Sequence, residues 1–159
     1  MKGSKVLITE EPRGRIKAGI ISGALLPGTI VQQTTAPDGN SLATWGVYNR
    51  SADGNRPAGP IAVLLERGEG YTYATAYTSG YHCEVYIPLP GDELNVLWSA
   101  SGTGTGDSVA FGDLAIVDDG TGLLVDTTGT PESEPFMAME AVSDVVSAGT
   151  MVWSMFTGY

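Results

Sequence analysis

The chain has 159 residues, with 18 acidic against 8 basic side chains, a formal net charge of −10 and 22 glycines. That length buries a core without metal or disulfide staples, and a single cysteine, Cys83, excludes an internal disulfide. No apolar run approaches the roughly 18 residues of a membrane-crossing helix, and no Lys or Arg follows Arg67, so that surface repels nucleic acid and anionic lipid.

Residues 1–18 read as an extended basic arm. Lys2, Lys5, Arg13, Arg15 and Lys17 face only Glu10 and Glu11, and Gly3, Pro12 and Gly14 break any helical period. No apolar stretch there resembles a secretion signal. Val6, Leu7 and Ile8 open a short β-prone run, "VLIT", suited to pairing with another chain; a frayed, solvated terminus is the plainer reading.

The body, residues 19–159, reads as β-rich. In "GIISGALLPGTIVQQT", Pro27-Gly28 turns the chain between two apolar runs. "SLATWGVYN" follows a turn at "APDGN", and residues 49–60 form a polar loop carrying Arg50 and Arg56. Strands are expected at Ile61–Glu66, Tyr71–Thr78, Cys83–Pro88, Leu94–Ser99, Asp113–Val117, Leu123–Asp126, Phe136–Val146 and Met151–Phe156. The run Glu134 to Val146 also fits a helical stripe, but its crowding of valines favours β. Tyr71, Tyr73 and Tyr77 share one parity of "YTYATAYT", which predicts an aromatic face, half-buried or at an interface. Short strands with turns every 8–12 residues predict a mainly β fold, a compact barrel or sandwich with little helix. Two echoes, Gly-Asp at 91 and 112 and Gly-Thr after Pro27 and Ala148, are too slight to predict a repeat architecture.

Chemistry is sparse. Gly102, Gly104 and Gly106 do not have phosphate-loop spacing, and no Lys follows to reach a phosphate. Asp118 and Asp119 are adjacent and lack the closing Glu of a calcium loop, although Asp113, Asp118, Asp119 and Asp126 leave another cation site open. His82 is the only histidine, and on a strand it points away from its neighbour Cys83, against a catalytic dyad. Eighteen acids will form chance pairs, and Trp45, Trp98 and Trp153 serve either as core anchors or as sugar platforms. No enzyme and no cofactor is expected.

The order of these motifs resembles the tailed-bacteriophage capsid decoration (cement, or head-stabilising) proteins. The resemblance rests on Gly112-Asp113, the Asp119-Gly120 turn, Met139-Glu140-Ala141 and Ala148-Gly149-Thr150-Met151-Val152-Trp153, with Ile16 to Val31 at the start. It implies a β-rich, non-catalytic protein on the outer capsid surface, made in the bacterial host cytoplasm. It also implies a homotrimer at three-fold positions that bridges subunits of the major capsid protein. The capsid-binding residues are then expected in the arm: Lys2, Lys5, Val6, Leu7, Ile8, Arg13, Arg15 and Lys17. Tyr71, Tyr73, Tyr77 and Trp153 are the expected interface residues. A carbohydrate- or receptor-binding module of a head fibre or tail is the alternative.

Overall fold

The structure, a computed structural model, describes residue 6 and residues 13–39, 41–49, 60–66, 74–100, 108–126 and 136–158. Ten strands are present: β1 (Arg15–Ser22), β2 (Ile30–Thr35), β3 (Thr44–Val47), β4 (Ile61–Leu64), β5 (His82–Ile87), β6 (Glu93–Trp98), β7 (Leu114–Val117), β8 (Leu124–Asp126), β9 (Phe136–Ala138) and β10 (Thr150–Phe156). The described residues contain no helix, so the fold is mainly β. The 134–146 run contributes β9 and, through Val142, an isolated bridge to Val109.

The strands close into two five-stranded barrels, β1-β3-β2-β4-β5 and β6-β8-β7-β9-β10. Both have one topology. In each, the first strand pairs parallel with the third, and every other pairing is antiparallel. The registers agree pair by pair. Ile21 opposes Trp45 as Trp98 opposes Leu124, and Val31 opposes Ala62 as Ala115 opposes Phe136. Leu64 opposes Val85 as Ala138 opposes Ser154, and Ile20 opposes His82 as Leu97 opposes Met151. The fold is therefore an internal repeat, which the sequence echoes do not predict. The echoed segments at 91 and 112 are not structural counterparts; Gly91 corresponds to Gly14, and Gly112 to Gly28.

The repeat is hidden because the barrel interiors exchange volume. Barrel 1 places Ile21 on its first strand and Trp45 on its third; barrel 2 places Trp98 and Leu124 there. Ala62 and Leu64 in barrel 1 correspond to Phe136 and Ala138 in barrel 2. All eight are buried. Interiors packed to crystal-like density tolerate such exchanges only when large and small residues trade together. Gly19 makes room for Trp45: a Cβ there would stand 2.3 Å from Trp45 Cδ1. Trp98 instead donates its indole N–H to Ser154 Oγ at 2.9 Å, at the position held by Val85 in barrel 1.

The two barrels are joined by backbone hydrogen bonds as well as apolar packing. The β7–β8 hairpin, whose Gly120 and Gly122 have φ of 84° and 68°, reaches into barrel 1. Gly120 N–H donates to the Tyr48 carbonyl at 3.0 Å, and Ile30 N–H donates to the Gly122 carbonyl at 2.8 Å. Leu97 N–H donates to the Gly28 carbonyl at 3.1 Å. Around this seam Ile30, Tyr48, Val63 and Leu65 form one buried cluster with Leu97 and Met151.

A Cβ on Gly122 would stand 2.3 Å from the Ile30 carbonyl oxygen, whereas Gly120 has open space. Gly122→Ala is expected to cost about 3 kcal/mol or more, from left-handed strain plus overpacking. Gly120→Ala should cost only the strain, about 1 kcal/mol. Urea unfolding of the two variants checks the difference.

Candidate interaction surface

At the junction of the barrels, Asp92 is fully buried. Its Oδ2 accepts the Tyr86 hydroxyl at 2.7 Å, the Leu89 N–H at 2.8 Å and the Gly14 N–H at 3.2 Å; its Oδ1 accepts the Arg13 N–H at 3.2 Å. Gly14 N–H also donates to the Tyr86 hydroxyl oxygen at 2.7 Å. Only glycine fits at position 14, since a Cβ would lie 2.1 Å from the Ile87 carbonyl oxygen. This knot anchors the chain immediately before β1 and holds the first residues of that strand at the surface.

Arg13, Arg15, Ile16, Lys17 and Ala18 are all exposed. Arg13, Arg15 and Lys17 are the only basic residues among the described residues. They form one cationic strip on an otherwise acidic body. Arg15 and Lys17 were expected in an arm ending at residue 18, but β1 starts at Arg15 and pairs with β5 from Arg15↔Ile87 onward. Gly14, which read as a breaker, serves close packing against β5, as Gly19 does against Trp45.

The other expected residues divide. Val6 is buried in the core; its N–H donates to Glu66 Oε2 at 3.0 Å, and its carbonyl accepts the Asn95 N–H at 2.6 Å. It therefore bonds to β6 of its own chain rather than facing outward. Tyr77 is 2% exposed and donates its hydroxyl to the Leu65 carbonyl inside barrel 1. The predicted aromatic strand fails there because Ala74–Thr78 forms a turn and irregular chain, not a strand. Trp153 is half-buried, with its indole N–H on Glu93 Oε2 at 3.0 Å and its backbone N–H on Glu140 Oε1 at 2.9 Å. Lys2, Lys5, Leu7, Ile8, Tyr71 and Tyr73 lie outside the described residues, as do Arg50 and Arg56.

The remaining candidates have structural partners. Trp45 and Trp98 fill the barrel interiors and are closed to a sugar ring. Asp113 Oδ2 accepts the Ala110 N–H at 2.6 Å, and Asp118 Oδ2 accepts the Thr121 hydroxyl at 2.6 Å, so both carboxylates close turns. Among the described residues, no three His, Cys, Asp or Glu side chains gather to hold a metal ion. On β5 His82 is exposed and Cys83 buried, on opposite faces. Burial, with the Glu84 charge adding, pushes the Cys83 thiol up to about 11, so it stays protonated and a poor nucleophile near neutral pH. No protein-family model matches the chain, and no curated protein matches it.

Asp92→Ala leaves several inward-facing donors without an acceptor. It is expected to cost roughly 3–5 kcal/mol in urea unfolding. Burial, then the Asp92 hydrogen bond, pushes the Tyr86 hydroxyl from 10.0 up to about 12, although the Gly14 N–H opposes this. The folded state thus holds this proton more tightly than the unfolded chain. The associated stability is complete below pH 10 and is lost as pH rises toward 12; the Cys83 thiol adds a similar loss between 9 and 11. Thermal melts across pH 9–12 should show Tyr86→Phe losing the upper part of this alkaline decline while keeping the lower.

Proposed function

We propose that the chain is a structural, non-catalytic virion protein that binds the outer surface of an expanded phage capsid and clamps neighbouring major capsid protein subunits. The observation that carries this reading is the cationic strip of Arg13, Arg15 and Lys17, held rigidly at the start of β1 on an acidic body. A strip fixed by the Asp92 knot loses little side-chain and backbone freedom on docking, which favours affinity. The family resemblance supports the same role, with assembly as a homotrimer at three-fold positions. A trimer presents several such strips, so individually weak contacts sum through effective concentration. A clamp that binds only the expanded lattice then stabilises it by mass action. The twin-barrel body, with backbone bonds across its seam, suits a load-bearing strut between subunits.

Deleting the arm is a poor test, because residues 2–17 include Val6 of the core and the start of β1. Charge reversal is cleaner. Arg15→Glu combined with Lys17→Glu should leave the fold intact and weaken co-sedimentation with expanded shells about tenfold or more, with a shallower salt dependence. Unchanged binding would overturn the role of the strip. Light scattering at a mass near 16.5 kDa at every concentration would count against a trimer formed before docking, and a specific hit on a glycan array would favour a carbohydrate-binding module instead.

A further inference from the structure

The two barrels differ at one backbone edge. In an antiparallel ladder, alternate residues turn their N–H and C=O groups toward the partner and away from it. On β1, Ile21 N–H donates to the Tyr81 carbonyl on the β5 side, and Ile20 N–H donates to the Ala43 carbonyl on the opposite side. Ile16 and Ala18 share the parity of Ile20, so their N–H and C=O groups turn away from β5. The β3 pairing begins only at Ile20↔Thr44 and does not reach them. In barrel 2 the counterpart of Ala18 is Asn95, and its N–H donates to the Val6 carbonyl at 2.6 Å. The fold thus meets this edge in barrel 2 with the Val6 carbonyl, whereas among the described residues nothing bonds to it in barrel 1, where Ile16 is 54% exposed and Ala18 is exposed.

We infer that the open edge of β1, Ile16 to Ala18, is a strand-acceptor site for an extended acidic segment of a partner protein. Unpaired strand edges recruit strands through main-chain hydrogen bonds, and flanking side chains select among them. Arg13, Arg15 and Lys17 border this edge, so an incoming strand bearing alternate Asp or Glu is favoured and a basic one repelled. Identification of the partner as the capsid protein rests on the function proposed above. The site itself rests on the backbone geometry.

The test uses the full chain and a synthetic peptide, Glu-Val-Asp-Val-Glu, with Lys-Val-Lys-Val-Lys as control. The acidic peptide should bind at least tenfold more tightly and should slow hydrogen exchange at the Ile16 and Ala18 amides. Ala18→Pro removes one outward N–H without a β5 ladder bond and should weaken peptide binding at least tenfold. Exchange protection in the unmodified protein provides a readout that does not depend on how that variant folds. Absence of protection at these amides, or equal binding of the two peptides, overturns the inference. The same variant is then mixed with expanded shells. If unmodified protein binds shells and folded Ala18→Pro binds them equally well, the edge is not the shell contact, and the strand-acceptor inference fails for that partner while the clamp function stands. If unmodified protein ignores shells yet protects Ile16 and Ala18 with the acidic peptide, the site stands and the capsid reading falls.

Discussion

The Asp92 carboxylate is buried where the last strand of barrel 1 hands the chain to the first strand of barrel 2. A buried charge costs several kcal/mol unless its oxygens are supplied with donors. Here they come from three parts of the chain: Arg13 and Gly14 before β1, Tyr86 on β5, and Leu89 in the connecting turn. The Asp92 carbonyl meanwhile accepts the Phe156 N–H at the end of β10. One residue therefore fixes the start of β1, the exit of β5 and the β6–β10 ladder together. The position of the cationic strip follows from that arrangement.

The two barrels share one topology and differ in their interiors and along one strand edge. Inside, the copies trade large and small side chains and reach the same packing. Outside, they diverge in what covers the first strand. β6 receives Val6 and Gly28 along its edge, and these contacts join the outer face of barrel 1 to the core of barrel 2, while the interior of barrel 1 forms a second cluster. Among the described residues β1 receives nothing equivalent at Ile16 to Ala18, where Arg15 and Lys17 flank the edge and Glu84 lies across from Ala18 on β5. A barrel normally removes the hazard of a free edge by closure; here the β1–β3 pairing that closes barrel 1 runs from Ile20 to Ser22 and leaves the start of β1 outside it. The proposed strand-acceptor site consists of that opening and the basic residues beside it.

Arg15 and Lys17, read from sequence as part of an extended arm, lie in strand β1. A flexible arm would pay to order its backbone when it docked, at about 1–2 kcal/mol per residue. A strip already in a strand has paid that cost in folding. Val6, the first residue of the run read as suited to pairing with another chain, accepts the Asn95 N–H of β6 in its own chain.

The sequence alone determined the β class, nearly all the strands, the turns at Pro27-Gly28 and Asp119-Gly120, and the separation of a basic start from an acidic remainder. These are local properties: β-branched runs, glycine at left-handed turns and the order of charges. Tertiary structure decided the repeat, because paired volume exchanges such as Ile21 and Trp45 against Trp98 and Leu124 preserve packing while erasing identity. It placed Tyr77 inside barrel 1, because its segment leaves the strand and its hydroxyl finds the Leu65 carbonyl. It also decided that Arg15 and Lys17 belong to a strand. Nothing local distinguishes a glycine that ends a strand from one that admits a Trp45 ring or a Tyr86 hydroxyl, since the contact that requires it comes from residues distant in the chain.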